Sequence, residues 1–139
     1  MTIKVKLDDW AFMPTRAHKT DAGLDLYSPC FGIIPPNESL CFDTGVHIEI
    51  PEGYVGMIKS KSGLNVKNGI TSEGVIDSGY TGSMVVKLYN HGYEIVEIRK
   101  GQKISQLVIL PIITPELELV DELEATERGN GGFGSTGAF

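Results

Sequence analysis

The sequence predicts an all-β protein, because short runs of strand-forming residues alternate with turn-forming residues along most of the 139 positions. Residues 46–50 show the clearest alternation of apolar and polar side chains. Turn signals such as Asn68-Gly69 and Asp77-Ser78-Gly79 follow at short intervals, and the 17 glycines exceed the usual share of roughly 7%. Many short strands separated by turns are typical of a β-sandwich or β-barrel.

The elements can be assigned in chain order from the same patterns. Strand character is predicted for residues 2–7, 46–50, 54–59, 84–89 and 104–113, and one short helix is predicted for residues 62–67. Residues 115–126 have helix-forming composition, but Glu116 to Leu119 alternates like a strand, so a strand is predicted there. With no internal repeat, residues 1–139 are expected to form a single domain, in which residues 127–139 are a flexible Gly-rich C-terminal arm.

Composition excludes several classes of function. A net charge of −6 argues against non-specific binding to nucleic acid, and no apolar stretch approaches the length of a membrane-spanning helix. Cys30 and Cys41 lack metal-ligand spacing, which predicts two free core thiols in the reducing cytoplasm. A polyanionic ligand would need locally gathered cations, and two groups qualify unless they are only solvated faces: Lys59, Lys61 and Lys67, then Arg99, Lys100 and Lys103.

The C-terminal arm, residues 127–139, has the composition of an anion-binding strip. Glycine N–H groups and the hydroxyls of Ser135 and Thr136 can donate to phosphate oxygens, Arg128 adds a bidentate charge, and Phe133 offers a face for a base. A triphosphate carrying a base is therefore the predicted ligand, and a disordered tail is the alternative. The glycine spacing also fits dinucleotide-binding and P-loop patterns, but no helix follows in either case.

Two internal segments also carry chemistry. Asp77 and Tyr80 lie three residues apart on a predicted turn, where a carboxylate can act as general base on water. The alternative is that Asp77 only hydrogen-bonds its own turn. Lys61, Ser62 and Gly63 lie at a possible helix start, where anions bind favourably; the alternative is that Ser62 caps the helix.

Taken together, these segments resemble the trimeric dUTPases. That family has five ordered motifs, and similar segments occur here in the same order at residues 22–26, 61–64, 74–82, 100–106 and 128–137. No single motif is decisive, but five in order over nearly the whole chain make coincidence very unlikely. The resemblance implies a distorted β-barrel or jelly roll of short strands, with at most one short helix, that hydrolyses dUTP to dUMP and pyrophosphate. It also implies a homotrimer whose active sites are shared between subunits.

The resemblance also implies roles for individual residues. Asp77 would be the base for the attacking water, Tyr80 would pack on the deoxyribose, and the hairpin before Asp77 would recognise uracil. Mg²⁺ would be chelated mainly by the triphosphate and waters, with Asp25 interacting only through water. The substrate-binding set implied in this way is Lys61, Ser62, Gly63, Val75, Ile76, Tyr80, Gln106, Arg128, Phe133, Gly134, Ser135 and Thr136.

Two positions depart from the commoner family pattern, which has Arg at the position of Lys61 and Asp at the position of Gly79. Lysine keeps the charge but loses the bidentate fork. The two changes could be related through the loss of one Arg–Asp contact. Neither change removes a group that the mechanism needs.

Two alternatives remain open at this stage. A dCTP deaminase shares the fold, but it needs a catalytic Glu and an Arg in the phosphate motif, and residues 61–64 lack that arrangement. A regulatory module that binds a protein partner and uses dUTP as a switch is compatible with catalysis, and the sequence does not identify such a partner.

Overall fold

The structure is a computed structural model that describes all of residues 1–139. It contains one helix and otherwise short strands, which confirms the all-β prediction. In chain order the elements are β1 (Val5–Leu7), β2 (Gly23–Tyr27), β3 (Gly32–Ile34), β4 (Ser39–Asp43), β5 (Val46–Ile48), β6 (Tyr54–Ser60), α1 (Ser62–Asn68), β7 (Ile70–Thr71), β8 (Glu73–Ile76), β9 (Val85–Asn90), β10 (Val96–Ile98) and β11 (Lys103–Pro111).

The strands form four separate antiparallel sheets and no closed barrel. The largest has the order β2-β11-β6-β8, a second has the order β4-β9-β7, and the two small sheets are β1-β5 and β10-β3. Within the largest sheet, β6 is paired on both sides, with β11 along its whole length and with β8 over its middle residues. Most neighbours are distant in sequence, so the fold depends on long-range pairing.

One apolar core joins the four sheets. Side chains alternate across each strand, so β9 buries Val86 and Leu88 and exposes Val85, Lys87 and Tyr89. Each sheet contributes side chains to the same hydrophobic cluster, for example Ile48, Ile98, Leu107 and Phe42. Burial of such side chains contributes about 1.5–3 kcal/mol each, so this core is the main source of stability.

The predicted elements were correct in kind but shifted at their ends, with one exception. Residues 115–126 contain no strand, because β11 ends at Pro111 and no sheet edge accepts the following segment. Leu117 and Leu119 are consequently 96% and 99% exposed. The prediction that Cys30 and Cys41 are free is confirmed, but the prediction that they lie in the core was wrong, because both are exposed.

The helix α1 begins without a side-chain cap and ends at a glycine. Lys61 is its N-cap residue and makes no capping hydrogen bond, so the alternative role of Ser62 as a cap is not seen. Gly69 ends the helix with a φ of 69°, and a Cβ at this position would also collide with the backbone of Gly92. A bilayer-spanning helix is absent, since no helix has the length and apolarity that crossing requires.

Candidate functional site

A cleft of about 250 Å³ lies where β8 ends and β9 begins. Four of its six lining residues are hydrophobic, and several of these side chains are exposed: Val75 by 57%, Tyr80 by 47% and Val85 by 49%. We call this feature the Tyr80 cleft. Its lining residues are Val75, Ile76, Asp77, Tyr80, Ser83 and Val85.

The turn between these strands is held by its own hydrogen bonds. The Tyr80 backbone N–H donates to the Asp77 carbonyl at 3.2 Å, and the Tyr80 hydroxyl donates to the Ser83 carbonyl at 2.9 Å. A Cβ on Gly82 would collide with the Tyr80 ring, so only glycine lets the ring lie across the turn. The ring of Tyr80 is therefore fixed at the cleft wall.

Asp77 presents a free carboxylate to the Tyr80 cleft. The residue is exposed, and its side chain makes no hydrogen bond within the chain. The alternative of a carboxylate bonded to its own turn is therefore not seen; only the Asp77 backbone carbonyl takes part in the turn. A carboxylate free of internal partners can accept a proton from a bound water.

A second polar group forms around Asp25, which β2 holds with its side chain 7% exposed. One carboxylate oxygen accepts from Lys61 Nζ at 2.5 Å and the other from Lys103 Nζ at 2.7 Å. We call these three residues the Asp25 cluster. One carboxylate and two ammonium groups give it a net charge of +1 in a chain whose net charge is −6.

The protonation states of this cluster follow from its pairing. Burial alone would raise the pKa of Asp25, but the hydrogen bonds from Lys103 and Lys61 outweigh it and hold the pKa below its ordinary value. The same hydrogen bond, from the other side, raises the pKa of Lys103. Asp25 is therefore ionised and Lys103 protonated at neutral pH, so their ion pair persists.

Gln106 and the start of α1 lie next to the Asp25 cluster. Gln106 is paired with Asp25 across the β2–β11 ladder, and its side-chain N–H donates to the Ser60 carbonyl at 2.9 Å. Ser62 and Gly63 follow in the first turn of α1 and are exposed. Their backbone N–H groups have no partner within the helix, so they are available to an anion.

Buried serines fix the end of β6 on which this region depends. The hydroxyl of Ser105 donates to the Lys59 carbonyl at 2.8 Å and is 2.7 Å from the hydroxyl of Ser72. The Ser72 N–H in turn donates to the Ser60 hydroxyl at 3.0 Å. Sequence reasoning missed these serines and the contact of Lys103 with Asp25, because each joins residues far apart in the chain.

The residues present do not build a protein-ligated metal site. No group of three or more histidine, cysteine or acidic side chains lies together, and both oxygens of Asp25 already accept from ammonium groups. This donor set fits an ion that brings its own ligands, such as Mg²⁺ held by phosphates and waters, with Asp25 reached through a water. Direct binding at Asp25 would have to displace Lys61 or Lys103.

The chain keeps the Tyr80 cleft and the Asp25 cluster apart. Ile76 is paired with Gly56 near one end of β6, whereas Gln106 is paired with Lys59 near the other end. Asp77 thus lies beside position 55 and Lys61 follows position 60, a separation of about 17 Å at roughly 3.3 Å per residue. One chain does not bring these groups within contact of a single phosphate.

The C-terminal arm gathers its own polar groups by local turns. Arg128 Nε donates to the Gly131 carbonyl at 2.9 Å, and Gly134 has a φ of 89°. A concavity of about 630 Å³ is lined by Arg128, Ser135 and Thr136 together with Thr126, Glu127 and Gly131. The Phe133 ring is fully exposed, and no hydrogen bond joins the residues after Ile112 to the rest of the chain.

Comparison with known proteins shows the family of the chain. A family model described as dUTPase matches residues 9–137. A deoxyuridine 5'-triphosphate nucleotidohydrolase of Clostridium tetani is 44% identical over 98% of this chain and 97% of its own length. The corresponding protein of Gloeothece citriformis is 45% identical over 99% of this chain and 97% of its own length.

Solved structures give the same result. The Staphylococcus bacteriophage 80alpha dUTPase with dUpNHpp is 38% identical and superimposes with a TM-score of 0.91, covering 98% of both chains. A variant of the dUTPase from phage phi11 of S. aureus, described with a structural Mg(II) ion, is 35% identical with a TM-score of 0.82, covering 90% of this chain and 100% of that one. The jelly-roll fold class is thereby confirmed, and the chain belongs to the dUTPase family, the hydrolases that act on deoxyuridine 5'-triphosphate.

Proposed function

We propose that this chain hydrolyses dUTP to dUMP and pyrophosphate by attack of water on the α-phosphate, with Asp77 as the general base. The observation that carries this proposal is the exposed Asp77 carboxylate, which has no internal partner and shares a cleft with Tyr80. A positioned base of this kind typically contributes about 10²–10⁴-fold to the rate.

Recognition of the nucleoside is assigned to the walls of the Tyr80 cleft. The Tyr80 ring, fixed by its bond to Ser83, packs on the deoxyribose and leaves no space for a ribose 2′-hydroxyl. The β8 backbone at Val75 and Ile76 binds uracil and excludes the thymine methyl group. Both exclusions act by shape, so they require that the turn carrying Asp77 and Tyr80 keep its conformation.

Binding of the phosphates is assigned to the region around the Asp25 cluster. Its net positive charge, the N–H groups of Ser62 and Gly63, and the Gln106 amide act on the α- and β-phosphates. Attack at phosphorus increases charge on the phosphate oxygens, so fixed cations and N–H groups stabilise the transition state. Lys61 contributes as a point charge and not as a bidentate fork.

Mg²⁺ is proposed as the cofactor, held mainly by the triphosphate and its own waters. When bound, it neutralises phosphate charge. Both oxygens of Asp25 already accept from Lys61 and Lys103, so Asp25 would not bind the ion directly. It would instead accept a hydrogen bond from one of the waters on the ion. The chain's own part is to keep Asp25 ionised and in place.

The assembly we propose is a homotrimer of one-domain chains, residues 1–139, with active sites shared between subunits. The separation of Asp77 from Lys61 along β6 supports this, because a second chain can bring the two groups to one ligand. Residues 127–139 close over that site, with Phe133 on the base and Arg128, Gly134, Ser135 and Thr136 at the γ-phosphate. Closure excludes bulk solvent from the reacting phosphate and leaves the attacking water at Asp77.

The regulatory hypothesis stays a prediction. The bacteriophage 80alpha dUTPase is described as a protein that controls the transfer of virulence genes. The cytoplasmic location expected from the sequence likewise stays a prediction.

The first prediction concerns substrate specificity. Pyrophosphate release with dUTP should exceed release with dTTP or UTP by at least about 10–200-fold in kcat/KM, the value of excluding one small group from a shaped pocket. In Tyr80→Ala the preference for dUTP over UTP should fall, whereas Tyr93→Ala, at a side chain 99% exposed outside the cleft, should retain it. Equal kcat/KM for dUTP and dTTP in the unmodified protein would contradict the proposal.

The second prediction concerns Asp77→Asn. The amide keeps the shape but cannot accept the water proton, so kcat should fall by about 10²–10⁴, or roughly 3–5 kcal/mol in barrier, while nucleotide affinity is retained. Single-turnover kinetics and equilibrium titration with dUpNHpp measure the two quantities. Asp9→Asn, at an exposed carboxylate without partners, is the matched control. Activity within a few-fold of the parent would leave Asp77 as a turn residue only.

The third prediction concerns Lys61→Ala. Loss of one hydrogen bond to a charged group should lower kcat/KM roughly 10–100-fold. Tm at pH 7 should change little, because Lys103 still pairs with Asp25. Lys67→Ala, in the last turn of α1, is the control and should leave kcat/KM unchanged. A large fall in Tm with unchanged kcat/KM would mean that Lys61 serves only to neutralise Asp25.

The fourth prediction concerns the C-terminal arm. Deletion of residues 127–139 should leave a folded but nearly inactive protein, because no hydrogen bond joins the arm to the body. Co-refolding this deletion with Asp77→Asn should restore part of the activity, since a mixed trimer can place an intact arm over an intact Asp77. Each variant alone is the control. No recovery, with mixed trimers confirmed by native mass spectrometry, would refute the shared site.

A further inference from the structure

The turn that carries Asp77 and Tyr80 is held from outside by His47. His47 lies on β5, and its Nδ1 is 2.7 Å from the Thr81 carbonyl oxygen, next to Tyr80 in the chain. Its Nε2 is 3.3 Å from both carboxylate oxygens of Asp8, which follows β1. The imidazole thus bridges the β1–β5 ladder and the catalytic turn.

The chemistry of these partners determines where the protons are. A carbonyl and a carboxylate can only accept, so both ring nitrogens must donate if both bonds are to form, and the ring is then an imidazolium. A neutral ring has a single proton and can keep only one of the two bonds. The other nitrogen would then direct its lone pair at an oxygen of Thr81 or of Asp8.

The rest of the turn has few external supports. The Ser83 hydroxyl donates to Asp43 at the end of β4, and the remaining bonds of the turn are internal. Residues 77–81 are exposed, and Gly79, with a φ of 88°, has nothing within 4 Å of where a Cβ would lie. For residues 77–82, the hydrogen bond from His47 to Thr81 is therefore the only side-chain hydrogen bond to the rest of the protein.

We propose that His47 is a positioning residue for this turn. Its two hydrogen bonds, one to Thr81 and one to Asp8, make dUTP hydrolysis depend on the protonation of one imidazole. The inference rests on the proposed role of Asp77 and Tyr80. It differs from that role because His47 touches neither the substrate nor the reacting atoms.

The charged groups around His47 support the imidazolium. The hydrogen bond to Thr81, and next the one to Asp8, raise the pKa of His47, while burial and the cross-strand Lys6 oppose that shift. Lys4 and Glu49 line the same surface depression but pair with each other at 3.3 Å. Asp8 is thus the one anion facing the ring that pairs with no other cation.

The direction of the pH effect follows. Because the pKa of His47 is raised, the bridge is complete at low pH and is lost as pH rises through that raised value. Loss of one intramolecular hydrogen bond should loosen the turn and lower kcat/KM about fivefold on the basic side. The preference for dUTP over UTP should fall with it, because Tyr80 is held by the same turn.

The test compares kcat/KM for dUTP from about pH 5.5 to about pH 9 in the parent and in His47→Asn. The Asn amide nitrogen occupies the position of Nδ1, so it can donate to Thr81 but does not titrate. The ratio of variant to parent should rise about fivefold with pH, with its midpoint at the ring pKa measured by nitrogen NMR. His47→Ala should be low throughout, and Asp8→Asn should move the midpoint to lower pH.

Controls separate this inference from the proposed mechanism. Glu49→Gln removes a charge two residues after His47, just beyond the end of β5, without reaching the turn, and its profile should match the parent. A flat ratio for His47→Asn, or His47→Ala within twofold of the parent at every pH, would overturn the role of His47. If Asp77→Asn, assayed alongside, stays active, the proposed catalytic turn fails; if it is inactive while the ratio is flat, only the present inference fails.

Discussion

The pairing of β6 on both edges is the constraint on which the rest of the site depends. Because β11 and β8 are hydrogen-bonded to opposite sides of this strand, Gln106 lies at one end and Ile76 near the other. Neither half can move toward the other without breaking a ladder. The buried hydroxyls of Ser72 and Ser105 fix the Gln106 end further. The rigidity of this strand supports the proposal of a site assembled from several chains.

Electrostatics in the protein are arranged locally against the overall charge. The chain carries −6, yet Asp25 holds two ammonium groups so that the Asp25 cluster carries an excess positive charge. The carboxylate is compatible with the proposed anion binding, because without it the two neighbouring lysines would repel each other and turn toward solvent. Asp25 therefore acts as a fixed counter-ion that keeps two cations at one place on the surface.

The sequence predicted β1, β5, β6, β9 and β11 because alternation and turn residues are local signals, but it gave no bounds for the six other strands. It failed at residues 115–126, since alternation of Leu117 and Leu119 cannot produce a strand without an edge to pair with. The proposed site residues Lys61, Gln106, Asp77 and Tyr80 were assigned through motif resemblance. The bridge of His47 and the contact of Lys103 with Asp25 were not, because each depends on a sheet register that no local pattern encodes.

The two departures from the common family pattern now have separate explanations. Lys61 pairs with Asp25, so its charge is used within its own chain. Gly79 has a φ of 88° and open space where a side chain would project, so glycine relieves backbone strain there without leaving a gap. The two positions lie at opposite ends of β6. An Arg–Asp contact between them could form only across subunits, so its loss would affect assembly of a shared site and would leave the fold of each chain unchanged.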